Sequence, residues 1–267
     1  MHKINLFRPT LLALSLAFAN SYAQASMVRN DVDYQFFRDF AENKGQFTVG
    51  SSNIPVFNKQ GQKIATVLPN LPMPDLHVAN RVSGIATLFH PQYIASVKHN
   101  SGYGSVQFGD SGNNSDSHYF NYLITDRNNH SRLDFHAPRL HKLVTEVAPI
   151  PLNNIAFDNA KKTGPSNGAF LDKNRYPYFV RVGSGRQYLR SKDGKDKTSL
   201  TSAYHYLTGG IPLAPRGSMD NWISFNGDIY DGLATYGLPG DSGSPLFAYD
   251  AKEKRWVLAA VLSTFAN

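Results

Sequence analysis

The sequence predicts an all-β fold, and three observations carry that expectation. The 267 residues include 21 Gly, 15 Pro, 14 Tyr and 17 Phe. That composition suits many short strands and tight turns, because glycine supplies positive φ and aromatic rings pack well on pleated surfaces. Short apolar or β-branched runs alternate with polar turn clusters over most of the chain. Hydrophobic residues make up 41% and charged residues 18%, enough apolar material for one large core or two smaller cores packed together. The net charge of +7 comes from dispersed Lys and Arg with no dense basic run interleaved with aromatics, so no nucleic-acid partner is expected. The absence of cysteine excludes disulfides, Cys-zinc sites and a thiol nucleophile together.

Taken in order, the first 25 residues read as a leader. Lys3 and Arg8 form a short positive region ahead of an apolar stretch, residues 11–19, that is too short to span a bilayer, and Ala23-Gln24-Ala25 has the small-x-small pattern of a cleavage site. Residues 1–25 are therefore expected to be a signal peptide cut after Ala25, and residues 26–267 the exported domain. Residues 33–44 have a helix-compatible composition, with Gly45 as the stop. The runs Phe47-Thr48-Val49, Ile54-Pro55-Val56-Phe57 and Lys63-Ile64-Ala65-Thr66-Val67, separated by Gly50-Ser51-Ser52-Asn53 and Lys59-Gln60-Gly61-Gln62, read as successive short strands. Residues 109–118 are small and polar and are expected to form an exposed insertion. No internal repeat and no low-complexity tract interrupts the pattern.

The strongest chemical signal is Gly240-Asp241-Ser242-Gly243-Ser244-Pro245. Flanking glycines permit the tight turn that presents Ser242 and let the amides of Gly240 and Ser242 converge on one spot, as an oxyanion hole requires. The strand Pro245-Leu246-Phe247-Ala248 and an apolar strand at 256–262 follow, which does not fit the strand-turn-helix context of the α/β-hydrolase elbow. Asp241 is read either as a plain turn residue or as a carboxylate that pairs with a cation or an amino terminus and shapes the hole.

A serine hydroxyl needs a base within hydrogen-bond reach. Of the nine histidines, His99 is the best placed: it closes the strand-like run at 93–98 and precedes the turn-like Asn100-Ser101-Gly102-Tyr103-Gly104. A carboxylate must orient the imidazole and stabilise its cation. Asp126 sits in a polar turn beside Arg127, whereas Asp134 leads into the apolar Leu143-Val144, and burial favours Asp134. The order His99, Asp134, Ser242 is that of chymotrypsin-type β-barrels, with the histidine and aspartate on the first barrel, the serine on the second and the active site between them. Tyr236, six residues before Ser242, falls where such enzymes keep the base of the specificity pocket. A metal enzyme is disfavoured, because His136 and His141 lack the helical spacing of a zinc pair. No cofactor or metal is called for.

At this point the chain resembles the serine-protease autotransporters of enterobacteria, the IgA1 proteases and the Haemophilus adhesion-and-penetration proteases, grouped as peptidase family S6. The residues that carry the resemblance are Tyr34-Gln35-Phe36-Phe37-Arg38-Asp39-Phe40-Ala41-Glu42-Asn43-Lys44-Gly45, Pro91-Gln92-Tyr93 through His99, Asp134-Phe135-His136-Ala137-Pro138-Arg139-Leu140 with Val144-Thr145-Glu146-Val147-Ala148-Pro149, and the hexapeptide around Ser242. The resemblance implies a chymotrypsin-like fold of two six-stranded Greek-key barrels. It also implies a His99, Asp134, Ser242 triad and an endopeptidase that cleaves host extracellular or mucosal proteins after passing through the periplasm to the cell surface or medium. Family members continue into a β-helical passenger and a membrane translocator barrel. The sequence ends at Asn267, so the second barrel is expected to be incomplete and membrane contact to depend on a translocator absent from this chain. The alternative reading is a catalytically inactive fragment, or an adhesin-type binding module that has kept the fold.

Overall fold

The structure, a computed structural model, describes residues 26–83, 85–109, 121–153, 167–200, 207–212, 215–219, 222–225 and 230–264. The leader expected at 1–25 and all but the first residue of the insertion expected at 109–118 lie outside the described residues. Strands dominate. In chain order they are β1 (Ser26–Arg29), β2 (Ile54–Phe57), β3 (Lys63–Val67), β4 (Thr87–His90), β5 (Tyr93–Ala95), β6 (Ser105–Gln107), β7 (Asn121–Asp126) and β8 (Arg139–Leu140). After these come β9 (Phe179–Gly183), β10 (Gln187–Arg190), β11 (Lys197–Leu200), β12 (Thr208–Gly210), β13 (Pro215–Met219), β14 (Trp222–Phe225), β15 (Tyr236–Gly237), β16 (Pro245–Asp250) and β17 (Arg255–Val261).

The expected helix is α1 (Tyr34–Glu42), capped by Asp33, whose carboxylate accepts the Gln35 amide. It stops two residues earlier than expected. Asn43, at φ 52°, takes the left-handed cap position, and its side chain donates to the carbonyls of Phe47 and Pro74 and accepts from the Leu76 amide. Asparagine tolerates this conformation because its short polar arm bonds locally. The strand expected at 47–49 does not form. Gly45–Phe47 is a 3-10 turn that swings the Phe47 ring to 5.3 Å from Phe40 and 6.3 Å from Phe36, so packing on the helix outweighs the aromatic run's preference for a strand. The next two expected strands are the β2–β3 hairpin, with Ile54 opposite Val67.

Two groups of sheets follow. The first is five-stranded and antiparallel, in the order β4-β5-β8-β7-β6. The second comprises β12-β9-β16-β17, also antiparallel, and β11-β10-β1-β15, in which the N-terminal β1 runs parallel to β10 and antiparallel to β15. β9, with the sequence FVRVG, is buried along its whole length, as a strand covered on both faces must be. One apolar cluster runs through both groups, from Leu88, Ile94 and Phe108 to Val180, Val182 and Phe247. The Trp256 indole adds a long tie by donating to the Pro72 carbonyl at 2.7 Å.

Phe247 is fully buried at the centre of β16, opposite Val180 of β9. Truncation to alanine is expected to destabilise the fold by about 3–5 kcal/mol, read as a shift in the urea-unfolding midpoint at unchanged slope.

Candidate active site

His99 lies in the turn after β5, where the strand hands over to a loop. That turn is fixed from the side by the segment leading into β8: the amide and carbonyl of Ser96 exchange hydrogen bonds with the carbonyl and amide of His136 at 3.2 and 3.0 Å. The exchange sets Asp134, two residues upstream of His136, beside His99. One carboxylate oxygen, Oδ1, accepts the His99 backbone amide at 3.0 Å, and Oδ2 lies 2.6 Å from the His99 ring Nδ1. With Nδ1–H donating to the carboxylate, Nε2 is left as the basic face of the imidazole. Burial raises the Asp134 pKa, but hydrogen bonds from Ser263 and His99 outweigh it and hold the carboxyl below its ordinary range. The group therefore stays ionised across the whole interval in which a histidine titrates.

The loop that carries Ser242 is built as a tight turn. Gly240 has φ 105° and Gly243 φ 86°. The Asp241 amide bonds the Leu238 carbonyl, and those of Gly243 and Ser244 bond Leu262 and Asp241. Among the described residues no hydrogen bond takes up the amide of Gly240 or Ser242, so both remain available to an anion. The loop is pressed against the His99 strand. A methyl on Gly243 would collide with Ser96 Oγ and the Ile85 carbonyl, and Asn100, next to His99, donates its side-chain amide to the Ser242 carbonyl at 2.8 Å. His99 and Asp134 are thus joined directly, and Ser242 is brought to them through its backbone. No hydrogen bond links the Ser242 hydroxyl to His99 among the described residues, a common state for a site without substrate.

Two residues that hold this arrangement carry no local signal in the sequence. Ser263, just beyond β17, donates to Asp134 Oδ2 at 2.6 Å, and Asn100 positions the serine loop. Both act across more than a hundred residues of chain, so only the fold reveals them. Tyr236, half-buried on β15, sits opposite Met27 of β1. Asp126 ends β7 and accepts the Asn128 amide at 3.1 Å, the solvated-turn role expected of it. Beside Asp134 runs an apolar groove lined by Phe89, Leu133, Phe135, Leu152, Leu258 and Leu262. Among the described residues no cluster of three His, Asp or Glu is placed to hold a metal ion.

His136 forms a buttress behind the pair. Its ring is fully buried, 2.8 Å from the Tyr103 hydroxyl through Nε2, and its Nδ1 has no hydrogen-bond partner among the described residues. The Arg127 guanidinium lies 4.8 Å over the Tyr103 ring. Burial, with Arg127 nearby, lowers the His136 pKa from 6.5 to about 4.

A family model described as immunoglobulin A1 protease matches residues 25–267. The adhesion and penetration protein autotransporter of Haemophilus influenzae is 44% identical over 255 residues, covering 91% of this chain and 17% of that protein. Serine protease EatA of Escherichia coli O78:H11 is 40% identical over 262 residues, covering 91% of this chain and 18% of the relative. An IgA-specific serine endopeptidase autotransporter of Neisseria gonorrhoeae is 36% identical over 300 residues, covering 96% and 19%. The chain thus spans less than a fifth of the length of these relatives. Among solved structures, the Haemophilus influenzae Hap adhesin superposes with a TM-score of 0.79 at 42% identity, over 88% of this chain and 26% of that one.

Two expectations follow from the packing. Gly243→Ala combines a positive φ with a collision against Ser96 and is expected to cost about 1–3 kcal/mol in urea unfolding. Because folded His136 titrates near 4 and the unfolded side chain near 6.5, the unfolded state binds the extra proton between those values. Stability should be complete above pH 6.5 and decline as the pH falls toward 4. Urea midpoints measured across that window should fall less steeply in His136→Gln.

Proposed function

Because the chain belongs to the immunoglobulin A1 protease family, a serine-peptidase family, we propose that it is the protease region of an exported autotransporter, cleaving protein substrates through His99, Asp134 and Ser242. The observation that carries the reading is the Asp134 carboxylate. It grips both the backbone and the ring of His99 while Asn100, the next residue, holds the Ser242 loop. The two groups of sheets are read as two β-barrels of chymotrypsin type with the site between them. Residues 1–25 are read as the leader that directs export, and residues 26–267 as the domain exported to the cell surface or medium.

In this mechanism Ser242 Oγ attacks the scissile carbonyl carbon as its proton passes to His99 Nε2. The carbonyl oxygen becomes an oxyanion held by the amides of Gly240 and Ser242, the uncommitted donors of the loop. Asp134 holds the ring in the required tautomer and stabilises the imidazolium. The proton on Nε2 then goes to the leaving amine as the C–N bond breaks, leaving an acyl-enzyme. Water, deprotonated by His99, attacks the ester and releases the acid and free Ser242. Tyr236 is assigned to the specificity pocket by its position six residues before Ser242 in the sequence. Host extracellular or mucosal proteins are the proposed substrate class, as the name of the gonococcal relative suggests.

A second reading, a binding module with little catalysis, draws on the adhesion and penetration protein and the Hap adhesin among the similar proteins. Labelling with a fluorophosphonate separates the two. The proposed enzyme is labelled, Ser242→Ala and His99→Ala are not, and Asp134→Asn is labelled more slowly by a factor on the order of 10^4. Ser263→Ala, which removes one of the carboxylate's donors, is slowed by a smaller factor. A folded wild-type chain that resists the probe would overturn the catalytic reading in favour of an inactive fragment or a binding module.

A further inference from the structure

The turn that carries His99 is fastened at its far end by a residue that has no part in the proton transfers. Asn100, whose side-chain amide holds the Ser242 carbonyl at 2.8 Å, is fixed on its upstream side. Its own amide donates to the Val97 carbonyl at 3.3 Å, and the amide of His99 before it donates to Asp134. Downstream, Ser101 and Gly102 are exposed and make no hydrogen bond among the described residues. The next residue to be fastened is Tyr103. Its hydroxyl meets Nε2 of the fully buried His136 at 2.8 Å, with the two rings edge to face and 5.9 Å apart. Arg127, in the turn after β7, donates through Nη2 to the Tyr103 carbonyl and sets its guanidinium 4.8 Å over the ring. Gly104 completes the fastening by giving its carbonyl to the Ile124 amide of β7 at 3.0 Å.

A phenylalanine would fill the same space, so the hydroxyl needs an account of its own. Apolar burial is non-directional, whereas a hydrogen bond fixes an angle as well as a distance. The partner of this bond is itself immobile, because the His136 backbone exchanges two hydrogen bonds with Ser96. It is also uncharged wherever His99 can act as a base, since burial lowers the His136 pKa to about 4. Nδ1 of His136 has no partner among the described residues, which leaves the Tyr103 hydroxyl as the bond that the buried ring depends on, and such a bond is costly to leave unmade. Tyr103 is thus a fixed point on the five-stranded sheet. From it the exposed Gly102 and Ser101 lead back to Asn100, so its position sets the downstream side of the Asn100 backbone, and with it the line along which the side-chain amide reaches Ser242.

We propose that Tyr103 is a positioning residue for the reaction: its hydroxyl, moored on His136, fixes the far end of the His99 turn and so sets the Asn100 amide that draws the Ser242 loop up to His99. It acts through Asn100 and touches no reacting atom. This inference rests on the catalytic reading of His99 and Ser242 given above.

The test measures fluorophosphonate labelling against probe concentration, separating the limiting rate from the half-saturating concentration, with near-ultraviolet circular dichroism reporting the fold. It compares wild type, Tyr103→Phe, Asn100→Ala and the double variant. Tyr103→Phe keeps the ring and its stack with Arg127 and loses only the hydroxyl. Its limiting rate should fall by about tenfold, the scale of one aligning hydrogen bond, at an unchanged half-saturating concentration. In the Asn100→Ala background the same substitution should bring no further fall, because the residue it acts through is already gone. A folded Tyr103→Phe with the wild-type limiting rate overturns the proposal, as does a fall that is repeated in full on top of Asn100→Ala. Should Tyr103→Phe lose its fold, Arg127→Met, which releases the Tyr103 carbonyl and leaves the hydroxyl in place, must show the fall in limiting rate, and a wild-type rate there overturns the proposal equally. A wild-type chain that is never labelled overturns the catalytic reading itself, a distinguishable result.

Discussion

Three donors converge on the carboxylate of Asp134, and they come from widely separated parts of the chain. Two belong to His99, in the turn after β5, and the third is Ser263, just past β17. A charged acceptor makes each of these bonds roughly twice as strong as a neutral one, so the five-stranded sheet and the last described strand are held in register at this point. The His99 ring orientation, the approach of the Ser242 loop and the course of the chain after β17 all depend on that convergence.

The site uses a second carboxylate differently. Asp134 is partly open to solvent and is kept ionised by hydrogen bonds, which suits a group that must stabilise a transient neighbouring cation. Asp241 is fully buried and accepts from the buried Arg181 guanidinium at 2.6 Å. Environment separates the tasks of two identical side chains, as is common where titratable groups cluster. Between them the Ser242 turn is constrained from both sides, by Arg181 behind and by Ser96 and Asn100 in front.

What the sequence made legible was local. The β2–β3 hairpin, α1 and the two strands that follow the Ser242 turn announce themselves through adjacent turn residues and apolar runs, and the pairing of Asp134 with His99 followed from the chemistry a serine nucleophile needs. Phe47 was misjudged because an aromatic run reads equally as strand or as packing surface, and the choice is made by Phe36 and Phe40 on the helix. The cation for Asp241 was anticipated in kind, but Arg181 could not be singled out. It sits mid-strand in Phe179-Val180-Arg181-Val182-Gly183, where a lone charge in an apolar run gives no hint of its partner. Ser263 and Asn100 were hidden for the same reason, since their partners are distant along the chain.

Those distances have a temporal meaning. The bonds that complete the site join residues 129, 142 and 215 positions apart, and such closures form late because the chain must give up the entropy of every intervening segment before the contact is rewarded. The β2–β3 hairpin and the sheet around His99 can organise from nearby sequence. The nucleophile loop is instead seated by contacts from β1, whose Ser26 hydroxyl reaches Asp241, and from the end of the β16–β17 hairpin, where Leu262 accepts the Gly243 amide. On the catalytic and export readings proposed above, a chain still being threaded through a membrane would carry every residue of the site and none of its reactivity, and the topology itself would delay proteolysis until translocation is over.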